Sequence, residues 1–248
     1  MNNSAGNTAR LLWAGLRALI VLTALCGVLY PLAVTGVAQV AFSGRANGSE
    51  IEDPATGRVV GSELIGQSYR LPSKNPDEVP APDLRWFQPR PSAGLGTNSV
   101  NAQYELLLSG ATNLAGDSGA VDGRCPARLG DYATEDKQAT LCYQVLSARE
   151  AVIRDNSTAG FAVRARDVPA DAVTSSGSGL DPHISPTYAK LQTHRVAERN
   201  HLDVTAVERL VTEHTEGRTL GFMGEPRVNV LKLNIALKGL KGLAQAGN

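Results

Sequence analysis

Net charge is the first thing this chain lacks: 24 basic and 24 acidic residues balance, and Lys and Arg form no cluster anywhere along its 248 residues. Without a basic patch there is no electrostatic footprint for nucleic acid, and no nucleic-acid partner is expected. Histidine and cysteine are scarce, four and three respectively, and no histidine lies between Gly44 and Leu180. His194, His201 and His214 have neither the spacing of ligands on one helical turn nor a zincin pattern, so they read as solvated residues on helix faces and no metal is expected. Two compact catalytic signatures are also missing, the Gly-x-Ser-x-Gly elbow and the Gly-Lys-Ser/Thr ending of a phosphate loop.

Charge is absent altogether from Ala18 to Gly44. As a helix, the apolar run 18–42 would span roughly 37 Å, more than the hydrocarbon core of a bilayer. Pro31 inside it removes one backbone donor, a defect that membrane helices accommodate as a kink, helped here by Thr35 and Gly27. Arg10 and Arg17 precede the run with no acid before Glu50, whereas Arg45, Glu50, Glu52 and Asp53 follow it. The positive-inside rule therefore puts residues 1–17 in the cytoplasm as a tail, 18–42 in the inner (plasma) membrane as a single-pass helix, and 43–248 outside. A cleaved secretory signal is the competing reading, but the apolar run exceeds the 7–15 residues of a signal core. Either way the larger part is exported.

Export fits the cysteines. Cys26 lies within the apolar run, while Cys125 and Cys142 stand alone in the polar part, 17 residues apart. A disulfide between them would contribute about 3 kcal/mol in the loop-entropy model. A two-ligand metal site is the alternative, with no nearby histidine to complete it.

The exported part reads as one α+β domain. Arg58 to Ser62 reads as strand and turn, and six prolines between Pro72 and Pro91 preclude long helices there. Asn101 to Ser109, with Tyr104, Leu107 and Leu108, has helical spacing; Gly110 to Ala139 has little periodicity and reads as a surface insertion. Further helices are expected over Cys142 to Arg154, over Pro186 to His201, and after the cap Asp203, with Val204, Val207, Leu210 and Val211 on one face and Gly217 as the stop. A last helix carries Val230, Leu233, Leu237 and Leu240, with Lys238 and Lys241 in its final turn.

Candidate chemistry concentrates in Thr174 to Pro186. Ser175, Ser176, Gly177, Ser178, Gly179, Leu180 and Asp181 could turn amides and hydroxyls toward an anion, and a tight turn before a proline-initiated helix explains them as well. Asp181, His183 and a serine could form a hydrolase triad, although sequence alone carries no triad geometry. Trp86, Phe87 and Arg90 read either as a packed loop with Arg90 on a carboxylate or as a protein interface. Asn229 and Asn234 flank apolar positions and suit buried hydrogen-bonding roles.

These blocks, in this order, resemble the C subunit family of Kdp-type potassium-transporting ATPases. The matching residues are the apolar run followed by Ala46 to Ser49, Gly61 to Gln67, Trp86-Phe87 with Arg90 to Ala93, Thr174 to Pro186, Gln192 with Arg195 to Ala197, and His214 to Arg218 on to Leu237. Trp86 departs from the family's usual tyrosine, and Gly116 to Gln144 resembles an insertion. The resemblance implies a non-catalytic accessory subunit with no cofactor of its own, partnered by a channel-like subunit, a P-type ATPase subunit and a small single-span subunit. Potassium would be the transported ion. It further implies a catalytic chaperone that raises the ATPase subunit's affinity for ATP, with nucleotide contact in Ser175 to Asp181. Trp86, Phe87, Arg90, Gln192 and Arg195 are the candidate interface residues. An external domain cannot meet cytoplasmic ATP, so either the orientation is the reverse or any effect on ATP is allosteric; a domain capping the external mouth is the favoured expectation. A membrane-anchored hydrolase using Asp181 and His183 is the rival class.

Overall fold

A run of apolar residues without charge has one low-energy solution for its backbone groups, which is to bond them to each other along a helix. The computed structural model describes residues 4–72, 80–91, 118–132 and 134–246, and the chain divides into two units, Met1–Glu50 and Ile51–Asn248. In the first unit, helix α1 (Ser4–Ala24) passes through a π-helical turn, Leu25–Leu29, into α2 (Tyr30–Ala41). Its 36-residue stretch Gly6–Ala41 is long and apolar enough to cross a membrane, and none of its most apolar window is buried. The expected kink at Pro31 takes a specific form. Proline has no N–H and its ring crowds the carbonyl four residues back, and the helix answers by widening just before it, with Tyr30 N–H donating to Leu25 O. The helix also runs back through Arg17 and Arg10 to Ser4, so residues expected as a tail are largely helical. A short α3 (Ser43–Ala46) follows, where Asn47 Oδ1 accepts from Gln39 Nε2 at 3.0 Å.

The second unit opens on a two-stranded sheet, β1 (Glu50–Asp53) with β2 (Arg58–Ser62). Asp53 holds the intervening turn, its Oδ1 accepting from Ala55 N–H at 2.9 Å. Next come α4 (Glu135–Gln138) and α5 (Leu141–Asn156), the latter capped by Thr140. Strand β3 (His183–Ile184) leads into α6 (Pro186–Asn200), whose Ser185 cap accepts from Tyr188 N–H at 3.0 Å and whose first position is proline. Helix α7 (Val204–Glu213), β4 (Thr215–Glu216), β5 (Arg227–Asn229) and α8 (Val230–Ala246) complete the order. The second sheet is antiparallel, ordered β3-β5-β4, with His183 opposite Asn229 and Thr215 opposite Val228. Its central residue Val228 is fully buried against the apolar faces of α6, α7 and α8, with Val196, Val207, Val211, Leu233 and Leu237. The molecule is α+β.

Three expectations need correcting. Helix α7 ends at Glu213, before Gly217, because two side chains take its terminal carbonyls: His214 Nδ1 lies 2.9 Å from Leu210 O, and Thr215 Oγ1 donates to Val211 O at 2.7 Å. Helix α8 extends to Ala246, so Lys238 and Lys241 are not in its last turn. Lys238 pairs with Asp53 at 2.6 Å and Lys241 lies over the Trp86 ring, 5.0 Å from its centroid. His194 is half-buried and stacks on Phe161 at 4.1 Å, unlike the solvated residue its position suggests. The helix expected over Asn101 to Ser109 lies outside the described residues.

A satellite core of Tyr132, Cys142 and Leu146, with Leu129 and Tyr143 against it, sits apart from the main one. Cys125 and Cys142 are joined as a disulfide across it, Cα atoms 5.4 Å apart.

Candidate functional site

The segment 80–91 carries Pro80, Pro82, Pro89 and Pro91, so it cannot offer a regular ladder of donors to a neighbouring strand. Its buried peptide groups still need partners. Helices α6 and α8 supply them from side chains. Asn234 on α8 accepts from Phe87 N–H and donates to Phe87 O, both at 3.0 Å. Gln192 on α6 accepts from Gln88 N–H at 2.7 Å and donates to Gln88 O at 3.1 Å. Each amide side chain thus stands in for one residue of a neighbouring strand.

Arg195, one turn beyond Gln192, completes the clamp. Its Nη1 donates to Leu84 O and, at 2.9 Å, to Trp86 O; Nη2 donates to Gln192 Oε1 at 2.6 Å and Nε to Asn156 Oδ1 at 2.8 Å. Arg195 is 2% exposed and its hydrogen-bond acceptors are all neutral. Burial lowers its pKa to about 10, which leaves the guanidinium charged at neutral pH. A cavity of about 270 Å³ lies beside it, lined also by Tyr188, whose hydroxyl burial pushes up to about 12.

The same segment ends in Arg90, and the loop 174–185 closes around that residue. Arg90 Nε donates to Thr174 O at 3.3 Å, Nη2 to Ser175 O at 3.2 Å, and Nη1 meets Asp181 Oδ2 at 3.1 Å. The other Asp181 oxygen accepts from His183 N–H at 2.9 Å and lies 3.2 Å from His183 Nδ1. An ionised carboxylate is only an acceptor, so it fixes the imidazole proton on Nδ1. The His183 ring foremost, then its amide and Arg90, hold the Asp181 carboxyl down at about 2, against partial desolvation. Inside the loop, Ser178 Oγ accepts from Leu180 N–H at 3.1 Å and Ser176 Oγ from Asp181 N–H at 3.4 Å. Asp171 anchors the far end on Ser185, at 2.7 Å to its N–H and 2.9 Å to its hydroxyl.

Gly66 explains part of the Gly61 to Gln67 block. Its N–H donates to Leu180 O at 2.7 Å, and a Cβ there would stand 2.7 Å from Asp181 O, so only glycine lets the two backbones meet. Asn229 Nδ2 ties Glu63 O into the same place at 2.9 Å, and Val230 N–H donates to Pro182 O at 3.0 Å. An open cleft of about 580 Å³ runs past Arg90, Asp171, Asp181, His183 and Arg227.

The blocks singled out in the sequence therefore converge. Their side chains are mostly turned inward: Trp86, Phe87, Gln192 and Arg195 are buried. Of the candidate interface residues only Arg90 is part-exposed. Ser175 contributes its carbonyl, and the Ser176 and Ser178 hydroxyls are spent on amides of their own loop. Asp181 and His183 touch each other, but the aspartate's other oxygen belongs to Arg90. Among the described residues no group of three or more His, Cys, Asp or Glu is placed to hold a metal ion. Asn156, Gln88 and Asp171 were not foreseen: their partners lie 39, 104 and 14 residues away, beyond any local pattern.

Comparison with known proteins places this arrangement. The family model described as "KdpC: K+-transporting ATPase, c chain" matches residues 12–239. A potassium-transporting ATPase KdpC subunit from Streptomyces avermitilis is 64% identical over 240 residues, 97% of this chain and 98% of the relative. Its counterpart from Streptomyces coelicolor is 60% identical, with 96% of each chain covered. A more distant one, from Gemmatimonas aurantiaca, is 41% identical over 90% of this chain and 91% of its own.

Proposed function

Since the chain belongs to the KdpC family, the c chain of K+-transporting ATPases, we propose that it serves its ATPase complex as an accessory subunit without chemistry of its own. The observation that carries this is the engagement of Arg90, Asp181 and His183. The residues best suited to catalysis bond one another, and through Arg90 they hold the 174–185 loop on the 80–91 segment. A hydrolase needs a base whose partner is a nucleophile, whereas among the described residues the His183 ring bonds Asp181 and no serine hydroxyl.

We infer that the helix Gly6–Ala41 anchors the chain in the cell membrane and that the domain stands on the external face, as Arg10 and Arg17 argue. There it caps or stabilises the assembly. The partners implied are a channel-like subunit, a P-type ATPase subunit and a small single-span subunit, with potassium as cargo. Any increase in ATP affinity then travels through the membrane helix, a coupling of about 1–3 kcal/mol. The inward use of the Ser176 and Ser178 hydroxyls supports this indirect route over a phosphate cradle in Ser175 to Asp181.

Protease added to intact spheroplasts tests the topology: the domain is digested if it is external, and protection reinstates direct contact with ATP. His183→Ala tests the role. Full potassium uptake with an intact complex is expected; lost uptake from an intact complex would revive the hydrolase reading.

A further inference from the structure

The β4–β5 hairpin ends in apolar side chains that stand exposed among the described residues. Leu220, Phe222 and Met223 are 79%, 71% and 51% exposed at a single turn. Isolated apolar residues on a surface need no explanation, but three large ones at one tip form a patch. The tip is well ordered by its bonds. Thr219 and Met223 exchange two backbone hydrogen bonds, both 2.9 Å, and Gly221 N–H donates to Arg218 O at 3.0 Å. Leu220 holds φ at +54°, a conformation suited to glycine or asparagine, so a branched apolar side chain sits here against local preference.

The rim decides what kind of surface fits. Arg218 pairs with Glu225 at 3.0 Å and Arg227 with Glu216 at 2.9 Å, so the basic residues flanking the tip are already neutralised. An anionic bilayer surface recruits unpaired Lys and Arg beside the apolar residues, and this rim offers neither. A rigid apolar knob with a self-neutralised rim matches an uncharged apolar pocket in a protein, where little ordering entropy is lost on docking.

We propose that Leu220, Phe222 and Met223 form the knob by which this chain docks into an uncharged apolar pocket of another protein subunit of its potassium-transporting ATPase. The proposal rests on the accessory-subunit reading above and adds to it the surface and the chemistry of its partner.

The test uses the full-length tagged chain, made together with the rest of its complex and extracted in mild detergent. Phe222→Asp and Leu220→Asn each lower recovery of the other ATPase subunits by about tenfold. Asparagine accepts the left-handed conformation, so Leu220→Asn leaves the chain's melting temperature equal or higher and decides the matter if Phe222→Asp misfolds. A photo-crosslinking phenylalanine at position 222 captures another ATPase subunit. Undiminished recovery of both variants overturns the proposal, as does crosslinking to lipid alone. In either case the wild-type chain still brings down its partners and the accessory role stands. A wild-type chain recovered alone overturns that role and the knob together.

Discussion

Two parts of the domain solve the same problem, holding a stretch without regular structure, by opposite means. The 80–91 segment is held by side-chain hydrogen bonds between residues up to 147 positions apart. The satellite around Tyr132 and Leu146 is held by one covalent bond spanning 17. The first arrangement exists only when α5, α6 and α8 are all in place, so its order is a property of the whole domain. The second constrains its loop even when neighbouring packing is lost. The contrast teaches that the seam is secured by residues far apart in the sequence, while the cysteine pair secures only its own neighbourhood.

Removing Arg195 should do the most damage to that contrast. Arg195→Met takes a donor from two carbonyls and two amide oxygens in the interior, leaving Asn156 Oδ1 and Leu84 O without one, and a loss of about 3–5 kcal/mol is expected in denaturant unfolding. Arg195→Lys should recover little of it, since an ammonium cannot fork to Leu84, Trp86, Asn156 and Gln192 together. Reducing the disulfide comes next, at about 3 kcal/mol on the loop-entropy model. Its effect should stay local: amide exchange quickens across residues 141–146 and is unchanged across 192–197. Exchange that quickens equally in both places would erase the distinction.

Asn234→Leu leaves Phe87 N–H and O without partners, at a cost of about 2–3 kcal/mol read as a lowered denaturant midpoint. The smallest expected effect concerns Asp181. Its folded-state pKa, about 2, lies below that of an unfolded carboxyl, so its contribution is fully present above about pH 4 and is lost as pH falls toward 2. Asp181→Asn should flatten the rise of stability across that window by about 1 kcal/mol, allowing for solvent screening at a part-exposed group. A melting profile parallel to that of the wild type would mean that Arg90 is held without it.

Local signals mark true elements. Ser185-Pro186 starts α6, Asp203 caps α7, and Arg58 to Ser62 is a strand, because capping and proline geometry act within a few residues. The π-helical turn escaped, since Pro31 signals a disturbance but not which hydrogen-bond pattern absorbs it. The end of α7 escaped because His214 and Thr215 capped it with side chains before the glycine was reached. In the site, the link from Arg90 to a carboxylate was open to sequence reasoning as a type of contact, but not the identity of Asp181. The sequence leaves the burial of Trp86, Phe87, Gln192 and Arg195 open, because aromatic and arginine residues anchor interfaces and interiors alike, and only the fold decides between them.

The clamp on Phe87 also sets a clock. Asn234 leaves the ribosome 147 residues after the peptide group it must satisfy. At about 5–20 residues per second, that delay lasts roughly 7–30 seconds. Through that interval Trp86 and Phe87 have no interior to enter, and they form the stretch of the growing domain most in need of shelter.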